Sequence, residues 1–218
     1  MRSWPYSDAL RLLCADRLAG FSAQHRGDPG ELKRAAVAIA LAPAEDSASV
    51  DRPSEAAFLL TVRAATLRAH RGQLALPGGR VDADETVAAA ALRELDEELG
   101  ILAQPPAILG ALDDYETRSG YLITPLVIWL PAPSILRPNP AEVARVYRVP
   151  LSELQRPDSP EIFAIAESDR PVIRLPLAPL SGHVNAPTAA VLYQFREVVL
   201  EGRPTRVDHF DQPSWAWR

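Results

Sequence analysis

Three glutamates, Glu94, Glu97 and Glu98, lie close together in a stretch that opens with a glycine turn at Gly79 and ends at Ile101. On a helix, side chains three or four residues apart share one face, and like charges there repel by roughly 0.2–0.5 kcal/mol per pair. A divalent cation reverses that repulsion, because carboxylate oxygens are the ligands that Mg²⁺ and Mn²⁺ prefer. We therefore interpret the stretch as a helix that carries a metal site.

Helical periodicity predicts how this segment is oriented. Four apolar residues fall on one stripe and are expected to face the core: Ala88, Leu92, Leu95 and Leu99. Glu94 and Glu98 lie one turn apart, about 6 Å along the axis, on a face away from that stripe. Three small or compact residues are expected to share the carboxylate side and leave room above it: Val87, Ala90 and Ala91.

Sequence patterns mark both the N-terminal and the C-terminal end of the predicted helix. Asp82 and Glu85 have the spacing of a capping box, with Asp in place of the usual Ser or Thr. Gly100 is placed to adopt a left-handed C-terminal cap. The helix is therefore predicted to begin near Asp82 and to end at Gly100.

The spacing of these residues is that of the Nudix box. Gly79 is followed after five residues by Glu85, and after seven more by the run Arg93-Glu94-Leu95-Asp96-Glu97-Glu98-Leu99-Gly100-Ile101. The chain thus resembles the Nudix hydrolases, which cleave a nucleoside diphosphate linked to another moiety and use Mg²⁺ or Mn²⁺. The competing interpretation is a surface helix with a solvated acidic face.

The resemblance implies roles for individual residues. Glu94, Glu97 and Glu98 would bind the metal, and the carbonyl of Gly79 is a further candidate ligand. Arg93 would orient the carboxylates, and Glu85 would support the loop and the helix. The candidate catalytic set, which adds a glutamate from later in the chain, is Glu97, Glu142, Arg93 and Glu85.

The segment before the box narrows the substrate. Residues 59–79 look like the signature of the coenzyme A pyrophosphatases: LLTxR, a small residue, then Arg, Gly and an aromatic residue at fixed spacing before PGG. Leu76 departs from that pattern, since the family usually has Phe there. The substitution keeps an apolar residue beside the glycine turn.

Charge distribution supports a phosphate-binding role for the same segment. Residues 56–81 contain four arginines and no Asp or Glu, whereas residues 82–98 contain seven acids and one arginine. Arginine forks suit phosphate oxygens, and carboxylates suit the cation between them. The candidate substrate-binding residues are Arg63, Arg68, Arg71, Arg80 and Gly78. The alternative for any one of these arginines is a surface ion pair.

Two later segments also resemble the coenzyme A branch, residues 113–125 and 139–143. The second makes Glu142 a candidate metal ligand or general base, against the alternative of a solvent-exposed loop charge. Asp113 and Asp114 are interpreted as turn residues and His183 as a surface residue. At residues 185–188 the sequence Asn-Ala-Pro-Thr replaces the aromatic-glycine pair that is frequent in the branch.

The expected fold is α/β: the Nudix α/β/α sandwich with a mixed β-sheet, an N-terminal helix over residues 7–21 and a C-terminal helix over 188–200. Predicted strands cover residues 35–41, 58–63, 108–112, 122–130 and 145–149, with a late pair at 162–165 and 172–175. A short helix is expected near residues 151–154. We expect one Nudix domain over 1–218, with a helical extension at 1–30 and a tail at 203–218 of unassigned role.

Composition limits the class of protein. A net charge of −5 argues against a general nucleic-acid binder, and the apolar runs at 35–44 and 121–133 are too short to span a membrane. A single cysteine, Cys14, and the absence of a signal-peptide pattern suit a reducing, cytoplasmic location. The tail carries His209, Phe210, Trp215 and Trp217, which could pack on the body, cover the site or form a homodimer contact.

The favoured activity is hydrolysis of the pyrophosphate bond of coenzyme A or its acyl derivatives, giving 3′,5′-ADP and (acyl-)4′-phosphopantetheine. Two alternatives stay open. One is a Nudix pyrophosphatase that acts on ADP-ribose, NADH or FAD. The other is a Nudix-fold module that binds a nucleotide without cleaving it, although such modules usually lose glutamates of the box.

Overall fold

The computed structural model describes residues 2–45, 54–64, 73–180 and 182–214. Within these ranges the chain forms three α-helices, α1 (Asp8–Ala19), α2 (Val87–Leu99) and α3 (Thr188–Phe195), and α3 continues into a π-helical turn at Arg196–Leu200. The strands are β1 (Lys33–Pro43), β2 (Ala56–Arg63), β3 (Leu74–Ala75), β4 (Gly78–Arg80), β5 (Ile108–Ala111), β6 (Tyr115–Glu116), β7 (Tyr121–Trp129), β8 (Val143–Pro150), β9 (Glu161–Ile165), β10 (Ser168–Leu177) and β11 (Gly182–Asn185). The expected short helix is a 3₁₀ turn at Leu151–Gln155.

Eight strands form one mixed sheet. Its main order is β3-β2-β1-β7-β5, while β4 pairs with β1, β6 with β7 and β8 with β2. The β1–β7 pair is parallel and the other pairs are antiparallel. A second, antiparallel sheet has the order β11-β10-β9 and contains the predicted late strand pair.

Strand β1 separates the two cores. Four alanines on one of its faces are fully buried beneath α2: Ala36, Ala38, Ala40 and Ala42. Ile39 and Leu41 point to the opposite core, which α1, α3 and the second sheet cover. Helices therefore lie on both sides of a mixed sheet, which confirms the α/β/α prediction.

The orientation of α2 differs in part from the expectation. Ala90 and Ala91 belong to the core beneath the helix rather than to open space beside the carboxylates. Leu95 and Leu99 are fully buried as expected, and Glu98, only 3% exposed, lies beside them. Small side chains on both α2 and β1 let the helix approach the sheet closely, and this brings Glu98 into the protein interior.

The predicted C-terminal end of α2 is confirmed, because Gly100 adopts φ 66° and ψ 30° and its amide donates to the carbonyl of Asp96. The predicted N-terminal end is wrong. The cap is Thr86, whose hydroxyl accepts from the amide of Ala89. Glu85 still accepts from the amide of Asp82 at 3.2 Å, which is half of a capping box outside the helix.

The C-terminal segment packs on the body as far as residue 214. Phe210 is buried, and its carbonyl accepts a 3.0 Å hydrogen bond from the hydroxyl of Tyr115. Asp211 is held by Arg118 and by the hydroxyl of Ser168, and the bond to Arg118 lowers the pKa of the Asp211 carboxyl below its usual range. Trp215 and Trp217 lie outside the described residues.

Asp113 is buried rather than exposed at a turn. Its carboxylate accepts from the amide of Gln24 at 2.7 Å, from the side chain of Gln194 at 2.6 Å, and from Arg206. It thereby joins the N-terminal link, α3 and the tail.

Among the described helices none has both the length and the apolar character that crossing a lipid bilayer requires.

Candidate functional site

A cavity of about 880 Å³ lies against the sheet, on the side covered by β11 and α3. Its floor includes Val37 of β1 and Ile123 of β7, and the charged part of its wall contains Arg63, Glu94, Glu98, Glu142 and Arg80. The Nudix-box helix, the basic strand β2 and the loop before β8 therefore all contribute side chains to one cavity.

The glycine turn allows α2 and β4 to meet. A Cβ atom at Gly79 would lie 2.2 Å from Oε1 of Glu94, so a larger residue there would displace that carboxylate from its place against the β4 backbone. At Gly78 the φ angle is 152°, and a Cβ atom there would lie 2.3 Å from the carbonyl oxygen of Ala36. Both glycines are required by close contacts around the site.

Glu94, Glu98 and Glu142 form an acidic cluster in which one carboxylate oxygen of each lies within 4.8 Å of the others. Oε2 of Glu98 is buried and has no hydrogen-bond partner among the described residues. The ion pair to Glu98 is long, with Nη1 of Arg63 3.7 Å from Oε1. A buried carboxylate oxygen without a donor costs free energy, and a bound cation would remove that cost.

Electrostatics in the cluster reflect the burial. Desolvation raises the pKa of Glu98 to about 8, with Arg63 opposing the shift and the nearby carboxylates of Glu94 and Glu142 adding to it. Burial also raises the pKa of Glu94, against the influence of Arg93. Without a cation, the protein therefore favours a proton on the innermost carboxylate.

Backbone contacts bring Glu142 to the cluster. The last carbonyls of α2 accept from the loop that follows β7: Glu98 from the amide of Asn139 at 2.9 Å, and Leu99 from the amide of Arg137 at 2.7 Å. The side chain of Asn139 then donates to Oε1 of Glu142 at 3.3 Å. The C-terminal end of α2 thus positions both Glu98 and the loop that carries Glu142.

Arg93 bonds three carboxylates, one of which, Glu94, belongs to the acidic cluster. Its guanidinium donates to both oxygens of Glu85 at 3.0 and 3.1 Å, to Glu94 at 2.9 Å and to Glu97 at 2.8 Å. It also donates to the carbonyl of Arg80. The bond from Arg93 lowers the pKa of Glu85, which stays charged at neutral pH. This arrangement agrees with an orienting role for Arg93.

Glu97 lies differently from the expectation. Its side chain is half exposed and pairs with Arg93, and it is not part of the acidic cluster found among the described residues. Glu142 takes the third place instead. Gly79 itself lies against Glu94, since a Cβ atom built at Gly79 would contact that carboxylate, and its carbonyl stays a candidate ligand.

The proposed substrate-binding residues divide into two groups. Arg63, Gly78 and Arg80 line the cavity, and Nε of Arg63 is buried without a hydrogen-bond partner among the described residues. Arg68 and Arg71 lie outside the described residues. A buried guanidinium N–H with no acceptor suits a ligand with phosphate oxygens.

No local sequence pattern indicates the far wall of the cavity. That wall includes His183, Val184, Asn185, Thr188 and Gln212, which come from β11, α3 and the tail. His183 is exposed as expected, yet it borders the cavity. The departure at residues 185–188 from the coenzyme A pattern was the one available hint that this segment differs.

Comparisons with known proteins agree with the fold. The chain is 51% identical over 97 residues to an uncharacterized Nudix hydrolase NudL of Photorhabdus laumondii, covering 44% of this chain and 52% of that protein. It is 41% identical over 122 residues to the NudL of Yersinia pestis (strain Pestoides F), covering 56% and 57%. The matches thus span about half the length of these relatives.

A crystal structure of a MutT/nudix family protein from Enterococcus faecalis superposes with a TM-score of 0.54. The match has 13% identity and covers 93% of this chain and 78% of that one, which shows similarity of fold. The NUDIX domain family matches residues 33–175, a range that contains the glycine turn, α2, Arg63 and Glu142. The chain therefore belongs to the NUDIX family, the family of the Nudix hydrolases.

Proposed function

We propose that the protein hydrolyses the diphosphate bond of coenzyme A or its acyl derivatives, giving 3′,5′-ADP and (acyl-)4′-phosphopantetheine. One observation carries the chemistry: the buried Oε2 of Glu98, which has no hydrogen-bond partner in the described part of the chain, lies in a cluster with Glu94 and Glu142, on a cavity that also contains Arg63. Such an arrangement supplies ligand atoms for a cation and hydrogen-bond donors for a phosphate group in one place.

The donor set fits Mg²⁺ or Mn²⁺. Carboxylate oxygens from two turns of α2 and from the loop before β8 converge, and the cluster contains no thiolate or imidazole, which would favour other metals. When bound, a divalent cation neutralises charge on phosphoryl oxygens and makes a coordinated water more acidic. Glu94, Glu98 and Glu142 would hold it, with the carbonyl of Gly79 as a further ligand.

The remaining residues position this machinery. Arg93 holds Glu94 in its orientation through a network that also includes Glu85 and Glu97. Arg63 is placed to donate to a phosphate oxygen, because its buried Nε has no partner among the residues that the structure describes and because it borders both the cluster and the cavity. Glu142, half-buried in a loop, is also the candidate to accept a proton from the attacking water.

Two features support coenzyme A as the substrate. The signature over residues 59–79 matches the coenzyme A branch at every specified position except Leu76, which is buried beside the glycine turn. The cavity is large enough for a substrate with two moieties on either side of a diphosphate. Arg68 and Arg71 belong to the same signature and are proposed to bind phosphate groups, the 3′-phosphate included.

A hydrolysis panel tests this assignment. Purified protein with Mg²⁺ or Mn²⁺ would be given coenzyme A, dephospho-coenzyme A, NADH, FAD and ADP-ribose at equal concentrations, with products identified by mass spectrometry. We expect the highest kcat/KM for coenzyme A or an acyl derivative. A clear preference for ADP-ribose, NADH or FAD would transfer the assignment to another Nudix substrate, and no turnover of any of them would contradict an enzymatic role.

We further propose that residues 1–218 form a single Nudix unit, in which the helical extension at 1–30 and the tail from 203 pack on the sheet. Leu10 and Leu18 of α1 and Phe210 of the tail share one core with α3, which supports this division. A small nucleotide, rather than nucleic acid or a membrane, is the proposed partner, and the cytoplasm is the proposed location.

A further inference from the structure

The far wall of the cavity lies outside the range matched by the NUDIX family. That range ends at residue 175, whereas Val184, Asn185, Thr188 and Val191 all line the cavity. They come from the end of β11 and the start of α3. The acidic cluster and Arg63 lie within the matched range, so the chemistry and this wall belong to different parts of the chain.

Two polar side chains in this wall have no hydrogen-bond partner within the described residues. Thr188, the first residue of α3, is 9% exposed, and its hydroxyl makes no hydrogen bond within the described part of the chain. The side-chain amide of Asn185, which is half-buried, likewise makes none there. Both residues line the cavity, so their hydroxyl and amide groups are available to a ligand there.

Thr188 lies at the start of α3. Pro187 occupies the cap position and supplies no side chain to the helix, and the first described backbone bond is from the amide of Val191 to the carbonyl of Pro187 at 3.1 Å. The N-terminal end of a helix carries partial positive charge and favours an acceptor atom nearby. The position of Thr188 at the helix start thus favours an acceptor atom of the ligand beside its hydroxyl.

The surroundings distinguish a neutral acceptor from a phosphate. Val184 and Val191 add apolar surface to this wall, which also contains His183 and Gln212, and the arginines among the described lining residues are Arg63 and Arg80, on β2 and β4. A phosphate group would be expected to have a guanidinium beside it. Hydroxyl and amide groups beside apolar surface suit an uncharged chain that contains amide carbonyls.

We propose that Thr188 and Asn185 form a subsite for the uncharged, amide-bearing arm of the substrate, on the side of the diphosphate away from the nucleoside. The proposal rests on the proposed function, because it assigns the two halves of a coenzyme A-like molecule to two parts of one cavity. Thr188 and Asn185 thereby determine specificity, while the acidic cluster and Arg63 serve the reaction.

The test compares two substrates that differ only in this arm. One is coenzyme A, and the other is the P²-methyl ester of 3′-phospho-ADP, which keeps the nucleotide and the diphosphate. We expect Thr188→Val and Asn185→Ala each to lower kcat/KM for coenzyme A roughly tenfold, because a substrate carbonyl loses its donor. The methyl ester should change less than about twofold by the same reasoning. Thr188→Ser, which keeps the hydroxyl, should behave as the wild type.

Control measurements distinguish failure of the subsite proposal from failure of the proposed function. Each variant should retain the wild-type melting temperature and Mn²⁺ affinity. An equal loss on both substrates, or no loss on either, would overturn the subsite while leaving the proposed function intact. A larger loss on NADH than on coenzyme A would assign this wall to a second nucleoside and would also overturn it. Wild-type protein that cleaves ADP-ribose but not coenzyme A would contradict the proposed function itself.

Discussion

The backbone amide of Asn139 donates a 2.9 Å hydrogen bond to the carbonyl oxygen of Glu98. Because the side chain of Asn139 also donates to Glu142, one residue connects the end of α2 to the loop that completes the acidic cluster. Glu142 lies 44 residues after Glu98 in the sequence, and a few bonds at a helix terminus, where carbonyl groups lack partners within the helix, thus bring the two residues together.

Replacing Asn139 with Ala should disturb this connection while leaving its backbone bond in place. The side chain accepts from the amide of Ala141 and donates to Glu142, so we expect the loop to loosen and kcat to fall roughly tenfold or more. The measurement is steady-state kinetics with saturating Mg²⁺. Gln104→Ala, at an exposed position without a side-chain cap bond, serves as the control. Unchanged kcat in the Asn139 variant would show that Glu142 is positioned by other contacts.

Gly79→Ala should displace the Glu94 carboxylate. The added Cβ would lie 2.2 Å from Oε1 of Glu94, and a carboxylate held by Arg93 cannot move without leaving the cluster. We expect Mn²⁺ affinity, measured by titration calorimetry, to fall roughly 10–100-fold, as for loss of a supporting contact. Gly27→Ala is a matched control, because a Cβ there meets nothing within 4 Å. Equal affinity in the two variants would contradict the role given to the glycine.

Arg93→Lys keeps the charge and removes the planar fork. A lysine cannot bond both oxygens of Glu85 and reach Glu94 and Glu97 together, so we expect kcat/KM to fall roughly 10–100-fold. Arg156→Lys breaks a similar two-bond contact, to Asp158, on the surface and should keep full activity. An Arg93 variant that retains wild-type kinetics would show that Glu94 needs no such support.

Glu98 should make the metal-free protein less stable as the pH rises. Its pKa is raised by burial to about 8 in the folded state, so the folded state binds the proton more tightly than the unfolded state does. The stabilising contribution of the protonated form is present at pH below the usual glutamate pKa and is lost as pH rises through about 8. Glutamine stays neutral throughout.

Thermal unfolding of Glu98→Gln and wild type in EDTA at pH 5 and pH 9 measures this effect. We expect the melting temperature of Glu98→Gln, relative to that of wild type, to be higher at pH 9 than at pH 5 by about 3 °C or more. Glu116→Gln, at an exposed residue paired with Arg26, should show no such gain. A pH-independent difference between wild type and Glu98→Gln would contradict the burial of a charged carboxylate.

Local signals in the sequence were sufficient for α2 and for its C-terminal end. Apolar spacing at Leu95 and Leu99 and a glycine with access to the left-handed region are properties of the chain itself, independent of its partners. The prediction for the N-terminal end of α2 is wrong because Glu85 has two functions. It resembles a capping residue in sequence, while in the structure it bonds Arg93 and Thr86 caps the helix.

The features that were not predicted depend on contacts across the fold. Glu98 is buried because alanines of β1 and α2 bring the helix close to the sheet. The periodicity of the helix alone carries no information about that distance. Glu97 faces Arg93 because that arginine is already anchored by Glu85. The wall formed by Asn185 and Thr188 joins a cavity whose charged lining residues Arg63, Glu94 and Glu142 lie at least 43 residues earlier, a separation that no local pattern spans.

Anomalous diffraction at the manganese edge, from crystals soaked in Mn²⁺, tests the central claim most directly. The account predicts a peak bounded by the carboxylates of Glu94, Glu98 and Glu142, and its loss in crystals of Glu98→Gln. Wild-type crystals with an open cavity and no peak among these three side chains would contradict it.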